Sequence, residues 1–156
     1  MEKSTNDPVW EKFKGNVIDC SIIPFSPYGL TVLKHRQGGQ VKFNPAQVKL
    51  WFAQAQQSYL LHKELEGKHV LSASVLDWLL VNQEYILKEW DGVAFLGTIY
   101  RDKIGLLHVR YLRRRFFFFG AWCSGSRLIG GLWDKKHPVA ILSPEAVPKP
   151  KLYLVP

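Results

Sequence analysis

Seven consecutive residues, Arg113-Arg114-Arg115-Phe116-Phe117-Phe118-Phe119, leave few conformations open. Four solvated Phe rings would form an apolar patch larger than soluble monomers tolerate. The run therefore reads as a strand with Phe side chains on both faces, entered through a basic edge. Such a strand serves as a core element, as a sticky interface, or as a place where cations and rings meet a nucleic acid.

The rest of the chain supplies enough apolar surface to bury it. At 156 residues and 47% hydrophobic, the chain suits one ordinary domain. Six Trp, six Tyr and nine Phe argue against disorder over most of its length. The expected organisation is a polar lead-in over 1–15, a single α+β domain over 16–143, and an extended tail over 144–156 that holds four prolines.

The period of the apolar residues changes along the chain. Residues 16–25 and 30–35 read as two strands joined at Ser26-Pro27-Tyr28-Gly29, a hairpin, and 41–43 as a further short extended piece. Asn44-Pro45 is a helix start, and Val48, Trp51, Phe52, Ala55 and Tyr59 fall on one helical face, so a helix is expected to run to Glu66 and stop at Gly67. Ser74-Val75-Leu76-Asp77 has the spacing of a capping box, opening a second helix that buries Leu76, Leu79 and Leu80.

From Gly92 the period is two. Val93, Phe95 and Ile99 alternate with Ala94, Leu96, Thr98 and Tyr100. A hairpin at 101–105 returns a strand with Leu107, Val109 and Tyr111 on one face and His108 and Arg110 on the other. A strand over 115–122, a tight turn at Ser124-Gly125-Ser126, a return over 127–133 and a last strand over 139–142 complete the pattern. The expected fold is α+β: an N-terminal hairpin and two helices packed on a C-terminal antiparallel meander or small, partly closed barrel.

Residues 70–82 (Val-Leu-Ser-Ala-Ser-Val-Leu-Asp-Trp-Leu-Leu-Val-Asn), Glu89-Trp90, Gly97-Thr98-Ile99-Tyr100-Arg101 and Val109-Arg110 follow one another in a recognisable order. The order resembles a group of short uncharacterised bacterial proteins with a Val-Leu-Asp-(aromatic)-Leu-Leu helix, then Glu-Glu-Trp, a Gly-Thr-Ile-Tyr-Arg strand, a Val-Arg strand and an aromatic-rich β-meander. The resemblance spans about 68–143. It departs at Leu87-Lys88, where the group has Pro, and at 113–119, where the group has spaced Trp and Tyr. It implies a fold boundary and a soluble location, and no chemistry.

Charge points to one class of partner. The net charge is +8, yet residues 1–90 hold ten Lys/Arg against nine Asp/Glu, while 91–156 hold eleven against four. A basic C-terminal sheet attracts phosphate-rich ligands. Arg101, Lys103, Arg110, Arg113, Arg114 and Arg115 are the expected phosphate contacts, and Tyr100 and Tyr111 the expected stacking rings, for RNA or another single strand. The plainer alternative makes Arg113–Arg115 gatekeepers against strand-to-strand aggregation.

The leading expectation is thus a non-catalytic module that binds nucleic acid. The rival is a protein-interaction or self-assembly module using Phe116, Phe117, Phe118 and Phe119 to hold a protein partner or a second copy. A third reading, a small acid-based hydrolase or nuclease, would draw on Asp91, Asp102 or Asp134 at strand ends, where Asp more often caps a turn. The five histidines include no i, i+4 pair of a zinc helix, and no serine or cysteine sits in a nucleophile elbow. Catalytic residues, metal ligands and a small-molecule cofactor are therefore not expected. Cys20 and Cys123 are too few for a disulfide framework. With a polar N-terminus and no apolar stretch of spanning length, they predict a cytoplasmic protein without a membrane span.

Overall fold

The two-residue period after Gly92 becomes the centre of the molecule. The computed structural model describes residues 17–36, 40–42, 44, 47–52, 65–115, 121–129 and 138–142. Strands β6 (Val93–Arg101), β7 (Leu107–Arg114) and β8 (Trp122–Leu128) form an antiparallel meander. Strand β2 (Thr31–His35) pairs with the C-terminal half of β6. Strand β9 (Val139–Leu142) meets the other end of the same β6 edge in parallel, at Ala94↔Val139. Two more strands, β4 (Val48–Trp51) and β5 (His69–Val70), flank β9. The result is a mixed seven-stranded sheet that does not close, with a separate two-stranded pairing of β1 (Val17–Asp19) and β3 (Gln40–Lys42).

One helix among the described residues, α1 (Ala73–Val81), covers one face of this sheet. Leu76, Trp78 and Leu79 pack with Val93, Phe95, Leu112, Ala140 and Leu142 there. On the opposite face Ala94, Val109, Val139 and Ile141 are buried, with Trp51, Val70, Leu96, Ile99, Tyr111 and Ile129 half-buried around them. Apolar residues thus line both faces, and alternation, outside the register shifts of β2 and β6, decides which face a side chain joins.

Several expectations change at this level. The helix foreseen from Asn44 does not begin as one: residues 48–51 are a strand, in register with 139–142. Val48 and Leu50 join the helix-side core while Trp51 joins the other, a period of two that pairing with β9 imposes over the weaker helical spacing. Residues 53–64 lie outside the described residues. The N-terminal hairpin is absent too. The turn at Pro27–Leu30 forms, with Gly29 at φ 81°, but the strands on either side pair elsewhere, β1 with β3 and β2 with β6. The partly closed barrel gives way to an open sheet.

Ser124-Gly125-Ser126 is not a turn but the middle of β8, opposite Arg110, Tyr111 and Leu112. The Tyr111 ring lies across Gly125, where a Cβ would come within 2.6 Å of it. Glycine is there to admit a ring, not to reverse the chain. The alternation in β6 also slips. Leu96 and Ile99 are three apart yet share the face of Ala94, because the register shifts between Phe95 and Tyr100. This bulge turns Thr98 and Tyr100 to the helix side, which plain alternation would have denied them.

The bulge anchors the start of α1. The capping box is not used: the N-cap is Ser72, without a side-chain cap bond. The Ala73 N–H instead donates to the Thr98 hydroxyl oxygen at 2.9 Å. Thr98 is also 2.9 Å from His35 Nδ1, and His35 Nε2 donates to the Cys20 carbonyl at 2.7 Å. With Nε2 carrying the proton, Nδ1 accepts from the Thr98 hydroxyl, so one relay joins the loop after β1, β2, β6 and α1. Thr98 is fully buried. Replacing it with Val should leave the Ala73 N–H and the His35 ring unmet and cost about 1–3 kcal/mol in urea unfolding.

Candidate functional site

A concave feature lies on each face of the sheet, and a shallower one lies between the Gly29–Thr31 segment and the Arg101–Gly105 hairpin. The first surrounds Arg110. Alternation along β7 places Arg110 beside Leu112, on the helix side, where it is 2% exposed. An isolated guanidinium there would be very costly, since it does not surrender its proton. Asp77 of α1 meets it at 2.7 Å. Nη2 donates to Ser124 Oγ at 3.2 Å, and Nη1 donates also to the Phe25 carbonyl at 3.3 Å. The Phe25 N–H returns to Asp77 Oδ2 at 2.8 Å, and the Tyr100 hydroxyl donates to the Phe25 carbonyl at 2.7 Å. Burial raises the Tyr100 phenol above its ordinary value, so it remains a donor. One buried ion pair therefore ties α1, β6, β7, β8 and the loop at Phe25 together.

This corrects two expected nucleic-acid contacts. Arg110 and Tyr100 are inside and bonded, so neither reaches a ligand on the surface. The others are more accessible. Arg101 is exposed at the end of β6, and Lys103 is exposed in the following turn, 5.7 Å from the Tyr28 ring centroid. Arg113 is exposed, its Nε 3.4 Å from Cys123 Sγ. Arg115 is exposed just past β7. Arg114 points the other way, half-buried, 4.9 Å from the Trp122 ring centroid and bonded to the Lys88 carbonyl. The three arginines therefore do not form one patch, because neighbours on a strand take opposite faces. Phe116–Phe119 lie outside the described residues.

The second feature lies on the face opposite α1. A cleft of about 310 Å³ has a floor of Leu65, Val70, Leu96, Ile99 and Ile129. Lys34, Arg36 and Lys68 stand at its rim, with Glu66 the one acid in the lining. Lys34 reaches this face because it pairs with Ile99, beyond the β2 irregularity. His69 adjoins; burial, then the nearby Arg36 charge, pushes its imidazole below the usual value and keeps it neutral. Tyr111 and Arg113 share the face farther along β7.

These rim cations were not foreseen. They come from the charge-balanced half of the sequence, and only the pairing of β2 and β5 into the sheet collects them. A sequence signal existed in the alternation of Lys34 with Leu33 and His35, but nothing in it says which strand lies next door.

Asp102, one of the acids the hydrolase reading would draw on, pairs with His108 at the β6–β7 hairpin. Asp102 Oδ2 accepts from His108 Nε2 at 2.8 Å, and Oδ1 accepts from the Ile104 and Leu106 N–H groups at 3.0 and 2.9 Å. The carboxylate is spent on closing the turn, where Gly105 takes φ 91°. The His108 bond, helped by the two backbone N–H groups, holds the Asp102 carboxyl below its ordinary 3.8.

A carboxyl lowered in the folded state contributes stability above the unfolded value, and that contribution is lost as pH falls through the folded one. Asp19, lowered by Ser21, acts with the same sign. The denaturant midpoint should therefore fall as pH drops below 3.8, and Asp102→Asn should flatten that acid limb. A series of urea midpoints between neutral and acid pH measures it.

Among the described helices, none is long and apolar enough to cross a membrane. Both cysteines are free, Cys20 buried and Cys123 half-buried. No family model, curated protein or solved structure matches this chain, so the site is judged on its own geometry.

Proposed function

We propose that the sheet face opposite α1 binds single-stranded nucleic acid, with phosphates on Lys34, Arg36 and Lys68 and a base ring in the cleft between them. The observation that carries this reading is the cleft itself, an apolar floor with three cations at its rim. A strand of nucleic acid has the same layout, flat rings flanked by phosphates. A duplex keeps its bases stacked inside and cannot offer one to the floor.

Tyr111, opposite Ala94, and Arg113, just past the Leu112–Val93 pair, extend this face along β7 away from the β2 end of the sheet. Glu66 lines the cleft, and the other acids among the described residues are placed elsewhere: Asp77 and Asp19 on the α1 side, Asp102 in the hairpin turn, and Glu84, Glu89 and Asp91 in the segment after α1. Stacking of a base on an aromatic ring such as Tyr111 is worth about 1–3 kcal/mol and tolerates any sequence. The reading is thus one of affinity without strong base preference.

Fluorescence anisotropy with a labelled single-stranded oligonucleotide tests it. Binding should weaken steeply with salt, since each neutralised phosphate adds roughly 0.7 to the log–log slope. Replacing Lys34, Arg36 and Lys68 together with Ala should remove about 2 from that slope. Arg113→Ala should weaken binding less. Equal, salt-insensitive binding by wild type and the triple variant ends the proposal.

A further inference from the structure

The other concave feature lies on the α1 side, away from the basic cleft, and its inference stands independently of the nucleic-acid reading. A cavity of about 500 Å³ opens between the 18–25 loop and α1. That size falls within the range that holds small organic ligands, about 300–1,000 Å³. Ile18, Ile22, Ile23, Phe25, Trp78 and Val81 supply apolar walls. Ile22, Ile23 and Phe25 are 43%, 68% and 64% exposed, a large apolar rim among the described residues.

The polar end of the cavity has a definite sign. Arg110, Asp77 and Asp19 all line it. The Arg110 side chain is 2% exposed, whereas Asp77 is 16% exposed and Asp19 is half-buried. The cation is shielded and the carboxylates are the groups a visitor meets. Each Asp77 oxygen already accepts one bond, from Arg110 and from the Phe25 N–H, and an ionised carboxylate has about four acceptor positions. Asp19 is held ionised by its bonds from Ser21. The Phe25 ring has Arg110 5.3 Å from its centroid and is otherwise largely open to solvent, so part of its π surface is free for a second cation or a ring.

We propose that this cavity is a binding site for a small apolar amine: a hydrocarbon or aromatic body against Ile22, Ile23 and Trp78, and a protonated nitrogen donating to Asp77 and Asp19. In a chain of net charge +8 this is the place where an organic cation is drawn in rather than repelled.

The test is a nitrogen–proton NMR titration of the full chain with tryptamine as probe, against 3-ethylindole and indole-3-propionate, which keep the ring and change the head to neutral or anionic. Tryptamine should shift the Phe25 and Ser21 amides and saturate. The neutral analogue should bind about tenfold more weakly, and the acid should not saturate. Asp19→Asn should weaken tryptamine severalfold, and Val81→Trp, which fills the cavity, should abolish its shifts while the remaining amide spectrum stays folded. Equal binding of all three compounds, shifts confined to other residues, or no saturation by tryptamine would each overturn the assignment.

Discussion

Asp77→Ala should lower the unfolding free energy by about 3–5 kcal/mol, the usual cost of leaving one member of a buried ion pair alone. Arg110 cannot discard its proton, and at 2% exposure it has little water to take the place of Asp77. The loss should appear in thermal melting as a fall of roughly 6–20 °C for a domain of this size. The Phe25 N–H loses its acceptor in the same substitution, so amide exchange at Phe25 should accelerate along with the global change.

The companion double variant separates charge from packing. Asp77→Leu with Arg110→Met removes both charges and keeps apolar volume, and should recover most of the stability lost by Asp77→Ala. Recovery is expected to be incomplete, because the Phe25 carbonyl and Ser124 each also accept from Arg110. A double variant as unstable as Asp77→Ala would show that hydrogen bonds, the Phe25 N–H bond lost in both variants and the two lost with Arg110, outweigh the uncompensated charge.

Gly97→Ala should be the most damaging single methyl in the sheet. A Cβ at Gly97 would sit 2.7 Å from the Leu71 carbonyl carbon and from the Ser72 nitrogen. Those are backbone atoms, so no side-chain rotation relieves the clash. Overfilling a packed core typically costs about 1–3 kcal/mol, and backbone contacts place this change at or beyond the upper end. The Gly97 N–H donates to the Leu71 carbonyl at 2.9 Å, and its own carbonyl accepts from Arg36 at 2.7 Å. Displacing Gly97 therefore loosens both β2 and the start of α1. Chemical denaturation should give a lower midpoint than Thr98→Val, and the two changes should not add, since they disturb the same junction.

The two predictions concern the same architectural problem. Strand β6 receives β7 along one edge and divides the other among β9, the Leu71 segment and β2. The register shift between Phe95 and Tyr100 lets this happen, and it turns Thr98 toward the helix terminus. The segment Gly97-Thr98-Ile99-Tyr100-Arg101 reads in sequence as a plain alternating strand, but each of its first four residues has a different task. Gly97 admits a backbone, Thr98 anchors a helix, Ile99 floors a cleft and Tyr100 braces the Phe25 loop.

Local chemistry alone was enough for the elements whose period matches their environment. The β6–β7 hairpin, the short helix that buries Leu76 and Leu79, the last strand at 139–142 and the turns at Gly29 and Gly105 follow from alternation, helical spacing and positive-φ glycine, forces that act within a few residues. Tertiary structure decided everything that depends on a neighbour distant in the chain. It made 48–51 a strand by offering β9 as partner, placed Gly125 under the Tyr111 ring instead of at a turn, buried Arg110 against Asp77, and gathered Lys34, Arg36 and Lys68 around one cleft. Arginine is an outward-facing residue by composition, and only an acid presented by a helix 33 positions earlier makes it a core residue. The physical reason is that pairing and charge compensation are properties of two segments at once, and neither segment carries the identity of the other.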